Sequence, residues 1–85
     1  MTPEERQETE NRIRDTFSEL QEKLKKLKDN VKLETDNIKS LEKTQEIEKL
    51  ETEISEIKKL IDTLQDLQDK DLQNLKERIK SIKKL

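Results

Sequence analysis

The chain contains no cysteine, histidine, glycine, alanine, tryptophan or tyrosine, and it has one proline, Pro3, and one aromatic residue, Phe17. Each absence removes a class of chemistry. Without cysteine there is no disulfide, thiol nucleophile or thiolate metal site. Without glycine there is no phosphate-cradling loop, no dinucleotide fingerprint and no EF-hand turn. Without histidine the commonest base for a serine or threonine nucleophile is missing. The carboxylate pairs Glu51/Glu53 and Asp69/Asp71 lie two residues apart, on different sides of any helix, and read as solvated surface. No run approaches the roughly 18 apolar residues of a membrane span, and no apolar stretch of a secretory signal follows Met1. The expectation is a soluble, cytoplasmic, non-enzymatic chain with no cofactor, no metal and no small-molecule substrate.

What is present is charge and aliphatic residues. Of 85 residues, 47% are charged and 27% hydrophobic; 19 basic residues against 21 acidic ones leave a net charge of −2. Globular domains carry about a quarter charged residues, so a conventional compact enzyme core is excluded. A near-neutral balance also argues against a dedicated nucleic-acid binder, which usually shows a basic excess. High charge with low hydrophobicity is also the composition of disorder. Here, however, leucine and isoleucine dominate the apolar set and recur at helical spacing.

Three runs carry that spacing. Ile13, Phe17, Leu20, Leu24, Leu27 and Val31 alternate steps of four and three, and the same frame continues through Glu34 to Ile38 and Leu41. Ile47, Leu50, Ile54, Ile57, Ile61 and Leu64 form a second run, and Leu72, Leu75, Ile79 and Ile82 a third. The alternation is that of a coiled-coil seam, so these residues are the expected helix–helix interface. Leu60 and Leu67 fall beside the second run and widen its face, which favours three or four helices there.

The runs do not share one frame. From the second to the third, the seam shifts from Gln68 to Leu72, a four-residue stutter absorbed by local unwinding. From the first to the second, it slips by two, which is neither a stutter nor a stammer, and keeping one seam through it would overwind the helix. The slip predicts a hinge or turn at 42–46 within one all-α coiled-coil module of residues 1–85, with helices over 3–42 and 46–85. The two architectures are an antiparallel hairpin or helical bundle and a bent continuous rod. Lys39 and Lys43 before the break, Glu46 and Glu48 after it, and Thr44 as an N-cap support a turn; the lack of Gly, Asn or Pro there opposes it. A three-helix monomer broken near 30–37 and 66–71 ranks last, because its third helix would be short.

Thr2-Pro3-Glu4-Glu5 reads as a helix start with a capping box, and Lys80, Lys83 and Lys84 as a helix end. Glu19–Lys23, Glu22–Lys26 and Asp66–Lys70 have the spacing of i,i+4 ion pairs. A parallel homodimer would set Lys23 against Lys28 and Glu46 against Glu51. Antiparallel pairing instead brings Glu4, Glu5, Glu8 and Glu10 towards Lys76, Arg78, Lys80, Lys83 and Lys84. The capping box and charge placement match rules for de novo designed helices, whereas the absence of alanine, a favoured filler, argues the other way.

The functional expectation is a coiled-coil oligomerisation or scaffolding module that associates with protein helices, its own or a partner's, through the aliphatic stripe. The rival is a helical hairpin whose lysine-rich C-terminal helix grips RNA or an anionic membrane surface.

Overall fold

Thr2 begins the first helix as its sequence implies. Its Oγ1 accepts a hydrogen bond from the backbone N–H of Glu5 at 3.2 Å, and Pro3 takes the first turn, where its missing N–H costs nothing. The structure, a computed structural model, describes residues 1–84. Helix α1 spans Pro3–Leu33, α2 Asn37–Asp62 and α3 Asp69–Lys84, with one 3-10 turn, Leu64–Asp66, between α2 and α3.

The fold is an all-α bundle of three helices. Long-range ion pairs give the directions. Lys28 meets Glu51 and Lys43 meets Glu34, so α2 returns antiparallel to α1. Arg6 meets Asp69 and Lys83 meets Glu19, so α3 runs parallel to α1. Its backbone lies closer to α1 than to α2, and Arg78 bridges the wider α2–α3 gap by pairing with both Glu53 and Glu56 at 2.7 Å.

The chain reverses at 34–36, not at 42–46. Residues 42–46 lie inside α2, and Thr44, expected as an N-cap, sits mid-helix with its hydroxyl donating to the Ser40 carbonyl at 2.8 Å. The helix instead starts at Asp36, whose carboxylate accepts from the N–H groups of Ile38 and Lys39 at 2.9 and 3.1 Å. An Asp cap therefore does here what Gly or Pro does in many reversals. The two-residue slip has a simple cause: the runs belong to separate helices whose phases are independent, and the connection absorbs the difference. The expected stutter near Gln68 is a second true break, through Thr63 and the 3-10 turn. The three-helix arrangement that the sequence ranked last is the one the chain adopts.

Ile13, Phe17 and Leu20 from α1, Ile54 and Ile57 from α2, Leu64, and Leu72, Leu75, Ile79 and Ile82 from α3 form the core cluster. Leu24, Leu50, Leu60, Ile61 and Leu67 pack on its margin. Ile47 is buried apart from that cluster, and Leu27 and Val31 are half-buried. Ile38 and Leu41 depart from the expected interface, at 72% and 61% exposed. The α1 frame that reaches them does not cross the break at 34–36, because α2 has its own phase. Its inward row runs through Ser40, Thr44 and Ile47 instead.

Parallel running of α3 also rearranges the expected charge pairing. The C-terminal cations meet Glu19, Glu53 and Glu56 rather than the glutamates of the first turns. Glu19 pairs with Lys83 across helices, while Lys23 donates to the Lys83 carbonyl at 3.3 Å. Asp66 and Lys70 lie in different elements and form no single-helix pair.

Candidate helix-docking surface

Unequal helix lengths shape the surface. At 1.5 Å per residue, the 31 residues of α1 span about 46 Å, but the 16 of α3 only about 24 Å. Because α3 starts beside Arg6 and reaches Glu19 by its last turn, it covers the half of the α1–α2 hairpin nearest the N-terminus. Beyond Ile82 the hairpin continues as two helices to its tip at 34–36. The described residues extend 51 Å in one direction and 19 and 16 Å in the others.

A cleft of about 710 Å³ opens where α3 ends. Its apolar floor is Leu27 from α1, Leu50 from α2 and Ile82 from α3; its rim carries Lys23, Glu46, Lys49, Thr52 and Glu53. Leu27 and Leu50 belong to the same stripes that fill the core one or two turns away, so the cleft is the core's third slot continued without its third helix. Nearer the tip, Leu33, Ile38 and Leu41 are exposed at 80%, 72% and 61%.

Two polar clusters hold the ends of this surface in place. At the tip, Glu34 is half-buried; it accepts from Lys43 Nζ at 2.8 Å and from the Asp36 N–H at 3.2 Å. Those two hydrogen bonds, Lys43 first, hold its pKa below the ordinary 4.5. At the base, Arg6 donates to the carbonyls of Leu64, Gln65 and Leu67 and to Asp69 Oδ1, the last at 2.8 Å, and its Nε lies 3.3 Å from buried Glu10. It thereby gathers three carbonyls of the connection between α2 and α3, of which that of Leu64 also accepts the Leu67 N–H at 3.3 Å. Asp69 also pairs with the N-terminal amine, which with Arg6 lowers its pKa below the ordinary 3.8. Apart from the i,i+4 pair Arg6–Glu10, sequence spacing held no signal for this cluster, whose other members lie about sixty residues from Arg6.

Of the C-terminal lysines proposed for an anionic ligand, Lys83 is engaged in an ion pair within the chain, as is Arg78 on the same helix. Among the described residues no group of three or more carboxylates is gathered in a metal-holding arrangement, and no helix is long and apolar enough to cross a membrane.

Comparison with protein-family models, with curated proteins and with solved structures finds no match.

Proposed function

We propose that the chain is a non-enzymatic helical association module, in which a three-helix base holds out a two-helix hairpin that docks a further helix. One observation carries the reading: the interhelical stripe runs on past the end of α3, leaving Leu27 and Leu50 as the floor of an open cleft. The whole-stripe interface expected from the sequence narrows accordingly, since most of the stripe is occupied within the chain. Burying each aliphatic side chain against a docked helix contributes about 1.5–3 kcal/mol. The cleft's shape suits that role, being an apolar floor between two helices with a charged rim. Its rim groups are long, solvated side chains rather than a nucleophile beside a base.

The test uses a helix known to fit this kind of slot. A peptide with the sequence of residues 69–84 carries the stripe Leu72, Leu75, Ile79 and Ile82. Titrated into the dilute, isotopically labelled chain, it is expected to shift the amide resonances around Leu27, Glu46 and Leu50 saturably. Absence of shifts, or shifts confined to the half already covered by α3, would overturn the reading.

A further inference from the structure

The connection between α2 and α3 is not built as an obligatory turn. Residues 63–68 include neither glycine nor proline, and none of them has a positive φ. Each can enter a helix at the ordinary cost of its type. The apolar stripe of α2 resumes in α3 after a shift of four residues, the insertion that a continuous helix absorbs by local unwinding. A side chain from outside the connection holds the bend: Arg6 donates to the carbonyls of Leu64, Gln65 and Leu67. In a straight helix those carbonyls would accept from the N–H groups of Gln68, Asp69 and Asp71, four residues further on. The bent and straight forms therefore satisfy the same acceptors with different donors.

We infer that α3 is exchanged between two copies of this chain: the connection straightens, α2 and α3 become one helix, and each α3 fills the third slot of the other copy. The directions allow it. Helix α2 runs towards the N-terminal end of α1, and α3 leaves that end parallel to α1. A straight helix carries α3 past that end into a second copy lying end to end with the first, where it again runs parallel to α1. Every core and ion-pair contact made by the body of α3 is then remade between copies: Leu72, Leu75, Ile79 and Ile82 in the core, Arg78 on Glu53 and Glu56, Lys83 on Glu19. The second copy is the occupant because this slot and this helix already match residue by residue. The exchange also adds a contact. The antiparallel register that Arg78 sets against Glu53 and Glu56, carried to the two-fold axis, brings Leu67 of each copy against Leu64 and Leu67 of the other. Leu67 is only half-buried in the single chain. The cleft beyond Ile82 stays open in both arrangements, so the inference is independent of the docking reading.

The connection supplies the test. Refolded from urea over a wide range of concentrations and followed by sedimentation velocity, the 10.2 kDa chain is expected to give monomer at low concentration and a species of twice that mass at high concentration. Gln68→Pro suits the bend: Leu67 before it already has φ −73 and ψ 142, the region a residue before proline prefers. In a straight helix the same proline removes the bond to Leu64 and clashes with the preceding turn. It is expected to weaken dimerisation by at least about tenfold while far-UV circular dichroism of the monomer is kept. Deleting residues 65–68 removes the four-residue shift and shortens the turn, and is expected to give dimer at concentrations where the wild type is monomeric. That variant decides the matter if the proline variant does not fold. The chain has no cysteine, so Glu19→Cys and Lys83→Cys can be placed on separate molecules. Refolded together at high concentration, they are expected to be joined by a short bismaleimide. A wild-type chain that is monomeric at every concentration overturns the inference. So does a dimer that survives Gln68→Pro, a deletion variant no more dimeric than the wild type, or a dimer in which residues 19 and 83 of different copies do not cross-link.

Discussion

Glu34 shows how much a single side chain decides here. It closes α1, bonds the backbone of Asp36 and holds Lys43 on the first turns of α2. Both partners favour its ionised form, so its pKa lies below the ordinary 4.5 in the folded chain. The unfolded chain therefore takes up the proton at higher pH than the folded one. Stability from this group is fully present above about pH 4.5 and is lost as pH falls through the folded-state value. Asp69, lowered by the N-terminal amine and Arg6, acts in the same direction somewhat further into acid. The urea midpoint is expected to fall on acidification below this point, and Glu34→Gln to make that fall shallower while lowering the midpoint at neutral pH. Equal pH slopes in the two proteins would show that the Glu34 contacts do not contribute. Nothing in the spacing of residues pointed to this role. In the sequence Glu34 is only a polar interruption of a seam, and its partners are brought to it by the reversal it helps to make.

At the scale of the helices, the apolar period was a reliable guide to faces and a poor one to ends. Within each run, the alternation of three and four places Ile13, Phe17 and Leu20, then Ile54 and Ile57, then Leu72, Leu75 and Ile79 on inward rows. Period reports only which side of a helix is apolar; it does not report whether two runs share a helix. The reversal at 34–36 rests on the Asp36 cap, and the sequence offered a comparable candidate in Thr44, about two turns further along. Ile38 and Leu41 followed from that choice and lie outward as a result. The contrast can be measured. Ile57, 0% exposed, is expected to cost about 2–5 kcal/mol when replaced by alanine, the combined loss of burial and the cavity left behind. Ile38→Ala, at a position 72% exposed, is expected to change stability by no more than about 0.5 kcal/mol. Chemical denaturation of the two variants compares them directly. Equal costs would mean that Ile38 is covered in solution, and a concentration-dependent cost would identify the cover as a second chain.

For the whole molecule, the consequence of a short α3 is a gradient of stability along the long axis. Near the N-terminus three helices surround Ile13, Leu20, Ile57, Leu72 and Ile79, each at most 1% exposed. Beyond Ile82, α1 and α2 have only each other, and Leu24, Leu27, Val31 and Leu50 remain half-buried. Helices hold their hydrogen bonds mainly through packing of an apolar face, and regions with fewer buried apolar contacts open at lower free energy. Amide hydrogen exchange in the dilute chain is therefore expected to be slowest around Ile13–Leu20, Ile54–Ile61 and Leu72–Ile79, and faster by orders of magnitude around residues 27–45. The two polar clusters set the ends of the gradient differently: Arg6 locks the base by gathering three carbonyls and Asp69, whereas Glu34 and Asp36 close the tip through exposed contacts that water readily replaces. Adding the 69–84 peptide should then slow exchange selectively in 27–45 if a docked helix supplies the missing packing, leaving the base unchanged. Uniform protection along the hairpin without the peptide would mean that two helices suffice there, and the cleft would have no energetic need of an occupant.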